Sequence, residues 1–377
     1  MRLIINTASA DRGGSIQVAL SFLNECRGIP EHDYFVFLSP NLQRQLDVSD
    51  FPDNFCFYKM EERPATKVFS FSPMGRLFKK LEAEIRPDCV FTTSGPAYWK
   101  PEAPHLIGYN LPHYIYRDSP FWKTVGRIEK WKFNLKGILI RWFYRRDASH
   151  YVCQTDDVCQ RLLAYLQCGQ AYTVSNTCSR VYYEPQVFAP RLPARKENEF
   201  RLLTVSALYT HKNLEIIRNV VDELRRRGHT HVRFVLTIPK GDYQRLFGAR
   251  YSENVVTVGP VPPVECPSLY RECDAMFLPT LLECFSASYP EAMIMEKPIL
   301  TSDLGFARTV CKDAAIYYDP LNAYEIADRI VNLMQDRTQY DRLIELGTQR
   351  LTSFNSARQR AEAFLSHCES LVAGSQP

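Results

Sequence analysis

Apolar positions along the chain fall into two alternating textures. Short runs of aliphatic and aromatic residues predict buried strands, longer stretches with an apolar residue every three or four positions predict amphipathic helices, and their alternation predicts a parallel α/β architecture. In the first half, strands are expected at Leu3–Asn6, Tyr34–Leu38, Cys89–Thr92, His105–Tyr109, Tyr151–Gln154 and Tyr172–Val174. Between the first two, Ser15–Cys26 puts Ile16, Ala19, Leu20, Leu23 and Cys26 on one helical face, which should pack on the sheet. The second half repeats the alternation with strands at Arg201–Ser206, Arg233–Thr237, Val255–Val258, Ala275–Leu278, Ile299–Ser302 and Ala315–Tyr318. Helical stretches Leu214–Arg227, Tyr289–Met295 and Ala323–Asp336 separate them, and Ser356–Leu371 closes the chain.

The stretch Thr177–Glu199 is polar, interrupted by proline and without period, as a linker would be. The expected organisation is therefore α/β with two doubly wound domains. Residues 1–178 form the first, completed by the C-terminal helix 356–377; residues 179–199 link it to the second, 200–355. Open α/β sheets bind ligands beyond the carboxyl ends of their strands, so a central cleft bordered by both sheets is where the chemistry is expected.

Composition excludes several classes. With 45% hydrophobic residues, 16 Gly and 24 Pro in 377 residues, the chain has material for large cores and no fibrous or disordered bias. Its 46 Lys+Arg against 42 Asp+Glu give +4, without the cationic excess expected of a nucleic-acid binder. The 12 cysteines include no CxxC pair and no Cys/His cluster at zinc spacing; many lie in apolar runs, as reduced thiols acting as small hydrophobes do. No run reaches the roughly 18 to 20 apolar residues of a spanning helix. Met1 leads into an apolar stretch too short for a signal peptide, so the expected location is cytoplasmic.

Four short stretches carry candidate chemistry. Between Ala275 and Pro320, a strand runs into a loop holding Glu283, then into a helix holding Glu291. The N–H groups of Phe285, Ser286 and Ala287, freed at that helix start, suit an oxygen-rich anionic guest. The strand beginning at Arg201 leads to Lys212-Asn213 near the next helix start, where an ammonium and a helix dipole reinforce each other toward a phosphate. Gly13-Gly14 sits between the first strand and first helix, where glycine permits close backbone approach. Asn110 and His113 follow the strand at His105–Tyr109. Each has a plain alternative: a dipole-complementing glutamate, a solvated lysine, a simple turn, a loop histidine.

The segment from Glu283 resembles the retaining glycosyltransferases of family 4, whose two-domain fold is called GT-B. The family form, roughly E-G-F-G-x-P-x-x-E-A-M-A-x-G-x-P-V-I, is matched in register by Glu283, Phe285, Glu291, Ala292, Met293 and Pro298. The resemblance implies two Rossmann-like domains and a nucleotide-diphosphate sugar held mainly by the second. Glu291 would bind the ribose hydroxyls, and Glu283 would contact the donor sugar as a catalytic residue with His113. The loop N–H groups of Phe285, Ser286 and Ala287, with Lys212, Gly13, Gly14 and Asn110, would complete donor binding. It further implies retention at the transferred carbon, no metal and no other cofactor. The acceptor would be a glycan or lipid-linked hydroxyl of bacterial surface polysaccharide or lipopolysaccharide synthesis.

Two departures bear on activity. Ala207 stands where the family has an arginine, and Tyr109-Asn110 stands where it has His-Asp or His-Asn. A catalytically silent sugar-binding subunit, a phosphorylase or a GT-B nucleotide-sugar epimerase therefore remain as alternatives.

Charge is unevenly placed. Tyr114–Arg146 holds nine Lys/Arg against two acids, a local +7, and three of the four tryptophans, at 122, 131 and 142. Such a mixture suits peripheral contact with an anionic membrane, which for a cytoplasmic protein means the inner face of the cell membrane. A helix pair with a solvated basic face and a buried aromatic face fits it too.

Overall fold

The computed structural model describes residues 1–10, 13–64 and 73–374. Among the described residues, thirteen strands form two separate parallel sheets. The first sheet contains β1 (Arg2–Asn6), β2 (Asp33–Leu38), β3 (Phe55–Lys59), β4 (Cys89–Thr92), β5 (His105–Gly108), β6 (His150–Cys153) and β7 (Gln170–Thr173), in the order β3-β2-β1-β4-β5-β6-β7. The second contains β8 (Phe200–Thr204), β9 (Val232–Leu236), β10 (Val255–Thr257), β11 (Ala275–Leu278), β12 (Ile299–Ser302) and β13 (Ile316–Tyr318), in the order β10-β9-β8-β11-β12-β13. Central strands such as β1, β4 and β11 are buried on both faces, as helices packed on either side of a parallel sheet require. Strand order reverses at β1/β4 and at β8/β11, so the loops after these four strands border the two switch points where doubly wound sheets take ligands.

The edge strand β3 has no counterpart among the sequence-predicted strands. Its residues are half-buried or exposed although Phe55–Tyr58 is an apolar run, a strand signal missing from the expected set; aromatic contacts hold it, with Phe55 stacked on Tyr34 at 4.5 Å and Phe51 edge-on to Phe57 at 5.1 Å. At the carboxyl end of β5 the chain passes so close to the loop after β4 that a Cβ on Gly108 would stand 2.3 Å from the Thr93 carbonyl oxygen. A side chain there would force the two strand ends apart.

The chain divides into two compact units whose limits differ from a simple halving. The first comprises Met1–Arg117, Gly126–Asn176 and the segment from Asn355. Its core is the first sheet with the helix Gly14–Cys26 and the final helix Ala357–Ala373, started by a capping box between Ser356 and Gln359. Phe364 of that last helix meets Phe91 of β4 at 5.0 Å and Phe22 at 5.6 Å. Residues 375–377 of the expected C-terminal helix, and Asp11 and Arg12 of the glycine loop, lie outside the described residues.

The second unit comprises Thr177–Phe354 together with Asp118–Val125. The expected first domain, 1–178, therefore loses residues 118–125, because Ser119 Oγ donates to the Leu281 carbonyl at 2.6 Å and Phe121 is buried. Nor is the expected linker 179–199 a loose tether. Phe188 N–H bonds Ser268 Oγ at 3.2 Å, Leu192 N–H bonds Glu272 at 2.8 Å, and Arg195 pairs with Asp274 at 2.7 Å. Polarity and proline in that stretch reflect side-chain fastening to the second unit. The stretch ends at Glu199, buried between Arg201 and Arg233.

Candidate active site

In the second unit, the loops after β8 and β11 meet at the switch point. The β8 loop ends in a short turn, Thr210–Lys212, and Asn213 takes a left-handed conformation (φ 53°) before the helix Ile216–Arg226 begins. Lys212 thus stands in the turn just before the helix, near its start as expected. Asn213 Nδ2 donates to the Pro320 carbonyl at 2.9 Å, and Leu281 N–H donates to the His211 carbonyl at 2.7 Å, so loops after three strands are pinned together. Lys212 Nζ and Glu283 Oε1 pair at 2.5 Å, each side chain 14% exposed. Thr280 Oγ1 lies 3.2 Å from both Glu283 Oε1 and the His211 carbonyl. The lysine that sequence reasoning aimed at a phosphate is therefore oriented by the glutamate it aimed at the sugar.

Phe285 and Ser286 are buried on the way to the helix Ser288–Ile294. The backbone N–H groups of Phe285, Ser286 and Ala287 have no backbone acceptor among the described residues. Glu291 sits in this helix, partly open to solvent. Burial pushes its carboxyl up to about 7, against the hydrogen bond from Tyr182 and the charge of Lys212, which both lower it. Lys212 thus acts on both glutamates. Tyr182, in the stretch read as a linker, carried no signal in sequence; Thr280, directly after a buried strand in Leu-Pro-Thr-Leu-Leu-Glu, carried a weak one.

The raised Glu291 value sets a stability prediction. Relative to an ordinary carboxyl at 4.5, its contribution to stability is present below that pH and is lost as pH rises through about 7. Glu291→Gln should match the parent below pH 4.5 and exceed it above pH 7 by about 3 kcal/mol. Thermal midpoints of both proteins across this range measure the effect. Asp147, pushed by burial to about 7 in the first unit, titrates equally in both proteins and cancels in the difference. A constant difference across pH would refute the assignment.

In the first unit, a cavity of about 280 Å³ opens at the carboxyl ends of β1, β4 and β5, lined among others by Ser9, Ser94, Tyr98, Asn110 and Lys136. Asn110 Nδ2 donates to Ser94 Oγ at 2.7 Å, while its buried Oδ1 has no partner among the described residues and can accept from a guest hydroxyl. Gly13 caps the helix Gly14–Cys26 with φ 58° and ψ −135°, a conformation that requires glycine, whereas a Cβ on Gly14 would meet nothing within 4 Å. His113 lies in the short helix Pro112–Ile115, outside the cavity lining, with its ring stacked on Phe133 at 5.2 Å. Asn110 and His113, read together from sequence, therefore occupy different surroundings.

Residues 199–336 match the family model described as glycosyl transferases group 1, and they contain Lys212, Glu283 and Glu291. Among solved structures the chain is similar to sucrose-phosphate synthase from Thermosynechococcus elongatus, with 14% identity over 100% of both chains and a TM-score of 0.74. It is also similar to HepE of Anabaena in complex with UDP and glucose, with 14% identity over 98% of this chain and 100% of that one and a TM-score of 0.70. A third similar structure is WaaG, a glycosyltransferase involved in lipopolysaccharide biosynthesis, with 13% identity over 98% and 99% and a TM-score of 0.68. No curated protein matches the chain in sequence. Fold and matched domain together define the class as glycosyltransferase of GT-B type. The glycosyl transferases group 1 domain lies within the second unit.

Proposed function

We propose that the chain is a retaining glycosyltransferase of family 4 that moves a sugar from a nucleotide-diphosphate donor to a hydroxyl of a glycan or lipid-linked acceptor. The observation that carries the reading is the Lys212–Glu283 pair at the switch point of the group 1 domain, with Glu291 under the same lysine's charge. Glu291 holds the ribose hydroxyls of the donor, and Glu283 meets its sugar. As the bond from the anomeric carbon to the diphosphate breaks, negative charge gathers on the leaving oxygen. Lys212 and the unpaired N–H groups of Phe285, Ser286 and Ala287 receive that charge, so this reading invokes no metal. The acceptor oxygen bonds to the anomeric carbon on the face the diphosphate leaves, and its proton passes to the leaving phosphate oxygen. No protein nucleophile takes part.

In the first unit, Asn110 and the Gly13-Gly14 turn offer side-chain and backbone polarity to the acceptor, with His113 as a further polar group. HepE was solved with UDP and glucose, which supports a nucleotide-sugar donor, and WaaG is involved in lipopolysaccharide biosynthesis, which supports a role in bacterial surface polysaccharide synthesis.

A thermal-shift screen of UDP-, GDP- and ADP-sugars, followed by donor turnover with the responding nucleotide, tests the reading. A donor at about 100 times its Kd should stabilise the protein by about 2.7 kcal/mol. Stabilisation without turnover would make the chain a silent sugar-binding subunit, and the absence of any shift would sink the donor site.

A further inference from the structure

The helix Arg127–Asp147 in the first unit has two apolar faces. One, with Gly137, Ile140, Phe143 and Tyr144, is buried. The other, Ile128, Trp131, Leu135, Ile138 and Trp142, is open to solvent, at 71, 65, 48, 67 and 53% exposure. Their spacing of three and four residues lines them into one continuous stripe. Helical periodicity places Arg127, Lys130, Arg141 and Arg145 along one edge of that stripe and Lys132, Lys136 and Arg146 along the other. Of the helix's two acids, Glu129 is paired with Lys132 at 3.0 Å and Asp147 is buried beside Arg146.

We propose that this stripe docks on an anionic lipid bilayer, the helix lying in the interfacial plane with its five apolar side chains in the headgroup region and its two cationic edges on lipid phosphates. Trp131 and Trp142 are residues that favour the boundary between water and hydrocarbon, and cations on both edges match a negatively charged plane. No helix among the described residues is long and apolar enough to cross a membrane, so the contact is a surface one. A second copy of the chain fits poorly. With the stripe as a seam, Arg127, Arg141, Lys132 and Arg146 take the flanking positions, where a symmetric partner would present cations to cations.

The surface differs from the one composition suggests. Phe121, Trp122 and Lys123 belong to the second unit and Phe143 and Tyr144 are buried, so residues 114–146 are not one patch. The docking does not depend on the sugar chemistry and can be tested without any donor.

The experiment is co-sedimentation of the whole protein with vesicles of phosphatidylcholine containing about one-third phosphatidylglycerol, against phosphatidylcholine alone. At low salt the anionic vesicles should bind about tenfold more strongly, and the preference should fade as salt rises. The double variant W131S/W142S should lose about tenfold in binding, and K130E/R145E should lose the anionic preference. Trp131, Trp142 and Arg145 are exposed and Lys130 partly so, while Trp142 also lies edge-on to Phe143 at 4.9 Å, so unchanged circular dichroism and only a small shift in thermal midpoint are expected for both variants. Equal recovery on both vesicles overturns the proposal. So does a dimer in sedimentation velocity that the tryptophan variant abolishes, since a second copy would then cover the stripe.

Discussion

Glu283→Gln should lower donor turnover by about 10²- to 10³-fold, the loss typical when one charge-stabilising group is removed from a reacting centre. The amide keeps the shape of the carboxylate and can still accept from Thr280 Oγ1, so the loop after β11 stays in place. What disappears is the charge that pairs with Lys212 and that the proposed function turns toward the donor sugar. Both side chains are 14% exposed, between a surface pair and a fully buried one, so the cost in stability should be about 1–3 kcal/mol. Activity and stability therefore separate in this variant, which a purely structural role for Glu283 would not allow. Lys212→Met provides the complement. It removes the cation expected to stabilise the leaving diphosphate, and it removes the charge that lowers Glu291, so that carboxyl should titrate still higher than its present value of about 7. The two single variants and the double variant form a cycle, and a pair acting as a unit should show losses well short of additive. Parental turnover in Glu283→Gln, with donor binding intact, would remove Glu283 from the reaction.

How much of this was legible in sequence depends on what carries each feature. Central strands bury both faces, and their apolar runs announce them; β3 has the run Phe55–Tyr58 as well, but at an edge its residues stay half-buried or exposed and aromatic stacking holds them. The switch-point residues Lys212 and Glu283 could be singled out because each follows a buried strand, but their pairing joins positions 71 apart and no local pattern encodes it. The same holds for Ser119, whose hydroxyl ties a segment from the first half of the chain to Leu281. Proline and polarity in 179–199 look alike in a tether and in a strap fastened by side chains. The helix Arg127–Asp147 mixes tryptophan with cations in sequence, yet only its packing reveals which aromatic residues are core and which are surface.

Glu199→Gln should be the most destabilising single change outside the apolar cores. Glu199 and Arg201 are nearly inaccessible, with side chains 4% and 5% exposed, and Arg233 reaches the same carboxylate at 2.7 Å. Burial alone would raise the Glu199 carboxyl; the Lys196 N–H and the two guanidinium groups more than offset this and hold it below its ordinary value. Neutralising it leaves two cations facing each other with little water, and breaking a buried pair this way costs about 3–5 kcal/mol. For a unit of this size that corresponds to a drop of about 6–20 °C in its thermal midpoint. An exposed pair such as Arg180–Glu184, with side chains 80% and 68% exposed, should move the midpoint hardly at all when broken. The pH dependence has a definite sign. Because the folded value lies below the unfolded one, the stabilisation is present above about 4.5 and is lost as pH falls through the folded value. The gap between parent and Glu199→Gln should therefore narrow in acid, and Arg201→Met in the Glu199→Gln background should recover part of the loss by removing one stranded cation. A midpoint within about 2 °C of the parent at neutral pH would show that Arg201, already bonded to the Pro193 carbonyl at 2.8 Å, needs no counter-charge to stay buried.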